Sequence, residues 1–191
     1  MSAEQAPTSP SINFEALSLA PANKLNEVSS KIPVMYQGQD LVIAIPPFHR
    51  DGLELKPYRS IKSCQIPLDV WTVENFKVIE AFISKVLPCE TYKPLWLNKA
   101  MHVNVSNYCT LKIQNADGSV SPSEMWDALG KGTYQFFVHV SHVFVGPHKQ
   151  GQSCSLSMYV TEIIYQPDIL AKPAKLARKR AVKQNAVLSS A

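Results

Sequence analysis

The sequence predicts a mainly β domain with one principal helix, its strands closed into a small barrel or packed as a sandwich. Three observations carry this expectation. Segments with apolar residues at every second position recur through the middle of the chain. One stretch, TVENFKVIEAFISKVL, repeats apolar residues at helical spacing. The segment from Gly132 to Pro167 reads as two long strands around a short turn.

Taken in order, residues 1–30 are rich in Ala, Ser, Pro and Asn and lack a period. They are expected to be disordered, with the folded part, 31–168, starting near Lys31. IPVMYQGQDLVIAIP forms a hairpin: Gln37-Gly38 supplies the turn, and Leu41, Ile43 and Ile45 alternate after it. LELKPYRSIKSCQIPL gives one or two strands broken at Pro57 and Pro67, since proline cannot continue a ladder. The helix follows, with Thr72 as its cap, Phe76, Ile79, Phe82, Ile83 and Val86 on one face, and Pro88 as its stop. HVNVSNYCTLKIQ then alternates. Val103, Val105, Cys109, Leu111 and Ile113 share one side, and Asn104, Ser106, Tyr108, Thr110 and Lys112 the other. SPSEMWDALG reads as a short helix, with Ser121 as N-cap, Pro122 at N1, Glu124 completing a capping box and Gly130 as its end.

The terminal hairpin carries the most specific pattern. Matching apolar to apolar pairs Phe144 with Cys154, His142 with Leu156, Val140 with Met158 and Val138 with Val160. A five-residue loop, Pro147 to Gly151, remains. On the second face this register sets His139 beside Tyr159, Phe137 beside Thr161 and Ser141 beside Ser157. Aromatic and β-branched residues are good strand formers wherever they point. Serine, threonine and histidine on that face nevertheless resist a core assignment. Flat rings beside small hydroxyls suit base stacking, worth roughly 1–3 kcal/mol per base and tolerant of sequence. Tyr108, Thr110 and Lys112 extend the same surface, and Lys149 in the loop is placed to meet a phosphate.

Charge is divided unevenly along the chain. From Lys172 onward there are six Lys/Arg and no Asp/Glu, which leaves 13 basic and 15 acidic residues elsewhere. A slightly acidic body with a basic tail, 169–191, points to an arm for nucleic acid or an address signal. Lys175, Arg178, Lys179 and Arg180 are the candidate phosphate contacts of that tail. Cys64, Cys89, Cys109 and Cys154 are widely spaced with no CxxC pair. They are expected to be reduced, mostly buried thiols of an intracellular, cytosolic or nuclear protein, with a structural disulfide as the less favoured alternative. The N-terminus lacks the charge and apolar run of a secretory signal, and no stretch reaches membrane-spanning length.

Signals for catalysis are missing. There is no phosphate-binding glycine loop and no GxSxG. His139 and His142 lie three apart on a strand and so point to opposite faces. Histidines and cysteines do not fall at zinc spacings. Carboxylates are dispersed. A non-catalytic protein without metal or cofactor is expected.

PVMYQGQDLVIAIP, the later helix and a terminal hairpin of the form GTYQFFVHVSHVFVG…SLSMYVTEIIYQP together resemble single-stranded DNA-binding proteins of phages and large DNA viruses, over roughly residues 31–167. The resemblance implies an OB-like, closed or partly open antiparallel barrel that coats single strands during replication, with DNA favoured over RNA as partner. It is compatible with a homo-oligomer and involves no membrane. Phage members often end in an acidic tail, and the basic tail here departs from that pattern. A viral coat protein whose basic arm holds the genome is the alternative reading. A protein-interaction adaptor using the hairpin face is a third.

Overall fold

The structure, a computed structural model, describes residues 11–58, 61–87, 89, 91–93, 96–97, 100–148 and 151–168. The packed part begins earlier than Lys31. Phe14–Ala16 form a 3-10 turn, followed by β1 (Leu17–Leu19) and β2 (Asn23–Lys24). Contacts with the helix that follows help to hold this segment down. The Asn75 side-chain carbonyl accepts from the Ile12 amide at 2.6 Å. The Phe14 ring meets Phe82 edge-on at 5.6 Å.

The first hairpin forms as expected, from β3 (Ser30–Tyr36) and β4 (Gln39–Ala44). Gln37 and Gly38 both adopt positive φ (51° and 75°), the backbone that a tight two-residue hairpin turn demands. β5 (Phe48–Arg50), β6 (Lys56–Tyr58) and β7 (Ile61–Pro67) precede helix α1 (Val70–Val86). The helix is capped by Asp69 and not by Thr72. One Asp69 carboxylate oxygen accepts from the Thr72 amide and the other from the Thr72 hydroxyl, both at 2.8 Å. Phe76, Ile79, Phe82 and Ile83 turn inward from α1. Pro88 lies outside the described residues.

Two short strands, β8 (Thr91–Lys93) and β9 (Trp96–Leu97), lead to the long β10 (Ala100–Gln114). The SPSEMWDALG segment is not the expected helix. Val120–Ser123 is a strand, β11, antiparallel to β10, and only Trp126–Ala128 make a 3-10 turn. Pro122 sits on this short added strand opposite Lys112. Proline is tolerated at such a position because its missing N–H removes no ladder bond.

β12 (Gly132–His148) and β13 (Gly151–Pro167) form the central hairpin. Pairing continues to His148 opposite Gly151, beyond the expected loop limits. Successive segments of the other edge of β12 receive β5, β4 and β3. β10 runs parallel to β13, and β7 is antiparallel to β10. The spine of the sheet is therefore β1-β3-β4-β12-β13-β10-β7-β6. The fold is mainly β, as predicted, but the sheet is mixed and is not closed into a barrel. Of the expected closed or partly open antiparallel barrel, the closed form is not found, and the purely antiparallel arrangement fails at β8 and β10, which run parallel to β13.

One face of this sheet and the inner face of α1 enclose a single core. Tyr134, Phe136, Val138 and Val140 from β12 meet Val160, Ile163 and Tyr165 from β13. Each fully buried side chain of this size contributes about 1.5–3 kcal/mol. Tyr134 stacks on Tyr165 at 4.8 Å, and their hydroxyls donate to the carbonyls of Gly130 and Lys131. Gly132 is required beside this stack, since a Cβ there would stand 2.7 Å from the Tyr165 ring.

The expectation that all cysteines are reduced is overturned in part. Cys89 and Cys154 form a disulfide, with Cα atoms 6.0 Å apart, tying the chain after α1 to β13. Cys64 and Cys109 remain free.

A candidate nucleic-acid interface on the outer sheet face

Alternation along β12 sends Gln135, Phe137, His139 and Ser141 away from the core, each half-buried between strands. His139 pairs directly with Tyr159, and Val138 with Val160, as the hydrophobic pattern predicts. Two register shifts then change the ends of the expected register. Past Val140, one extra residue sets His142 opposite Ser157 and Phe144 opposite Ser155. Between Val160 and Glu162, Thr161 is skipped, so Phe137 faces Glu162 and not Thr161. A bulge of this kind adds one residue to one strand and redirects the side chains beyond it.

A row of outward residues crosses five strands at the centre. Val42 of β4 pairs with His139, Tyr159 with Asn104 of β10, and Asn104 with Ser63 of β7. Directly paired side chains in such ladders stand roughly 4.5–5.5 Å apart at Cβ, close enough to form a continuous surface. Val42, Asn104 and Ser63 were not singled out by the sequence. The alternation of LVIAIP marks Val42 as outward. The link from Tyr159 to Asn104 depends on a parallel pairing that leaves no local trace.

Polar groups on this face are mostly engaged. The Thr161 hydroxyl donates to the Phe137 carbonyl at 3.2 Å. Lys112 sits 2.6 Å from Glu162, and the Thr110 hydroxyl donates to the same carboxylate at 3.4 Å. The Lys112 charge is thus neutralised within the protein. The His139 Nε2 lies 3.9 Å from Asp40. Beyond the bulge His142 lies on this same face, buried opposite Ser157, with Ser141 Oγ 3.0 Å from its Nδ1. The expectation that His139 and His142 point to opposite faces fails because the added residue shifts the alternation. Burial, then Lys31 and His139 nearby, holds the His142 imidazole below its ordinary pKa.

Tyr108 differs from these residues. It stands 92% exposed in an interruption of the β10–β13 pairing. Lys149, Lys175, Arg178, Lys179 and Arg180 lie outside the described residues.

At one end of the sheet, the Arg50 guanidinium on β5 donates to the Gln65 carbonyl on β7 at 3.0 Å, bridging the gap between two outlying strands. A cleft of about 320 Å³ opens there, lined by Arg50, Asp51, Glu54, Ser63, Gln65 and His102 among others. Its two carboxylates oppose a phosphate. Burial pushes the free thiols of Cys64 and Cys109 up to about 12, which keeps them protonated and poorly nucleophilic. Among the described residues no cluster of His, Cys, Asp and Glu is arranged to hold a metal ion. No helix among them is long and apolar enough to cross a membrane. No family model matches the chain, and no curated protein matches it at a significant level.

Proposed function

We propose that this protein binds single-stranded nucleic acid with little sequence preference, DNA before RNA, across the outer face of its central sheet. The observation that supports this best is the lateral row Val42–His139–Tyr159–Asn104–Ser63, with Phe137 beside it. It offers rings for bases to stack on and short polar side chains between them. Such surfaces suit splayed single strands, whose bases present free π-faces, and do not suit a closed duplex. The sheet itself is read as an OB-like barrel left open, with its β5 and β7 strands joined by Arg50.

Electrostatics divide the work in this reading. The body is net acidic and Lys112 is already paired, so phosphate contacts fall mainly to the basic tail. The role is passive coating, with no chemistry done on the strand.

Labelled poly-dT, poly-U and duplex DNA titrated with the full chain over a salt series test the proposal. Poly-dT is expected to bind tightest and duplex weakest. Equal affinity for duplex and single strand, or no binding at low salt, contradicts it. Deleting residues 172–191 should flatten the slope of log affinity against log salt by roughly 0.7 for each phosphate that the tail neutralises.

A further inference from the structure

We infer that a second cleft, beside the β10 interruption, seats one base of the bound strand and that Lys62 holds the adjoining phosphate. This deepens the single-strand reading and rests on it. Six residues of β10, Val105 to Thr110, span the same interval as the three from Val160 to Glu162 on β13. Ser106, Asn107, Tyr108 and Cys109 therefore stand against Thr161 alone, three residues more than the ladder needs, and form a bulge. The Tyr108 amide donates to Ser106 Oγ at 3.1 Å, which turns the bulge back on itself.

A cleft of about 250 Å³ lies against this bulge, lined by Lys62, Val105, Ser106, Asn107, Cys109 and Trp126. The volume is below the roughly 300–1,000 Å³ of pockets that take drug-sized ligands, and suits a single ring system. Trp126 leans on the core from its 3-10 turn yet stays partly open. Trp126 and Val105 supply apolar lining. The Asn107 amide both donates and accepts, as base edges require, and Ser106 adds a hydroxyl. Cys109 is held neutral by burial and by Glu162 nearby. No carboxylate lines this cleft, in contrast to the one at Arg50. Lys62 is exposed and has no ion-pair partner among the described residues, whereas Lys112 has Glu162. A phosphate meeting Lys62 displaces no internal partner.

The test uses the chain carrying Trp71→Phe and Trp96→Phe, in which Trp126 is the sole tryptophan. Fluorescein-labelled oligo-dT reports binding by anisotropy, and unlabelled oligo-dT is titrated in parallel against Trp126 emission. The expected result is quenching that saturates with the anisotropy change. Unchanged emission while anisotropy reports binding overturns the cleft and leaves the outer-face reading standing. No anisotropy change overturns both. Asn107→Ala and Lys62→Ala in the otherwise native chain keep the test open should the double variant not fold. Each should weaken oligo-dT binding several-fold, and Lys62→Ala alone should reduce the salt slope, by roughly 0.7. Native affinity in both variants overturns the inference.

Discussion

The row through His139 and Tyr159 and the bulge at Tyr108 both present aromatic surface, but they are held in different ways. His139 and Tyr159 are fixed on both sides by strand neighbours, are half-buried, and stand over a core that is fully closed beneath them. Tyr108 has no ladder partner on β13, and its ring is almost entirely in water. Charge follows the same division. Lys112, beside the row, is spent on Glu162, whereas Lys62, beside the bulge, is unpaired among the described residues. In the proposed reading the row serves for stacking bases and the bulge for holding one of them.

Breaking the closed core beneath the row should have the largest effect. Phe136→Ala removes a fully buried ring packed edge-on against Phe48 at 5.1 Å, and should cost about 3–5 kcal/mol of stability by denaturant titration. A cost under about 1 kcal/mol would mean that this face of β12 is not core. Tyr159→Ala, on the opposite face, should leave melting nearly unchanged. It should weaken poly-dT binding by about 1–3 kcal/mol, with the salt slope preserved. His139→Ala should act in the same direction and less strongly. A Tyr159→Ala chain that fails to fold would assign Tyr159 to the core and remove the contrast.

His142 sharpens the comparison through pH. Its folded pKa lies below its unfolded value, because burial disfavours the imidazolium and Lys31 and His139 add to the effect. The unfolded chain therefore takes up the proton more readily. The stability that His142 contributes is fully present above its unfolded pKa of about 6.5 and is lost as pH falls below that value. Melting temperatures of the native chain and of His142→Gln, compared at pH 7.5 and pH 5.5, should show a larger acid loss in the native chain. Equal losses would place His142 in contact with water. The smallest effect is expected at Lys112. Its partly exposed pair with Glu162 is worth about 0–1 kcal/mol, and Lys112→Ala should change neither melting nor the salt slope by much. A drop of roughly 0.7 in the slope would instead give Lys112 a phosphate to contact.

Much of the row was legible in the sequence because its centre lies between the register shifts. Val138, Val140, Met158 and Val160 leave one apolar match, and His139 falls opposite Tyr159 by necessity. Past Ser141 the pattern is ambiguous, since His142 and Val143 are consecutive and both buried. A period of two cannot reveal the added residue there. Glu162 could not be foreseen opposite Phe137 for the same reason. The parallel partner of β13 was illegible because strand direction leaves no periodic signature, and so Asn104 and Ser63 were not tied to Tyr159. Ser121 and Pro122 show the opposite failure. Their local chemistry favours a helix start, and pairing of Val120–Ser123 with β10 overrides it. The disulfide joins residues 65 apart in sequence, a separation over which spacing carries no information.

The central claim is that the outer face of the β12–β13 hairpin is where a single strand lies. Ultraviolet cross-linking of oligo-dT to the full chain, followed by mass mapping of the attached peptides, tests it most directly. Cross-links are expected within 132–141 and 158–164, at Phe137, His139 or Tyr159. Cross-links confined to the basic tail beyond Lys172, with none on either strand, would contradict it.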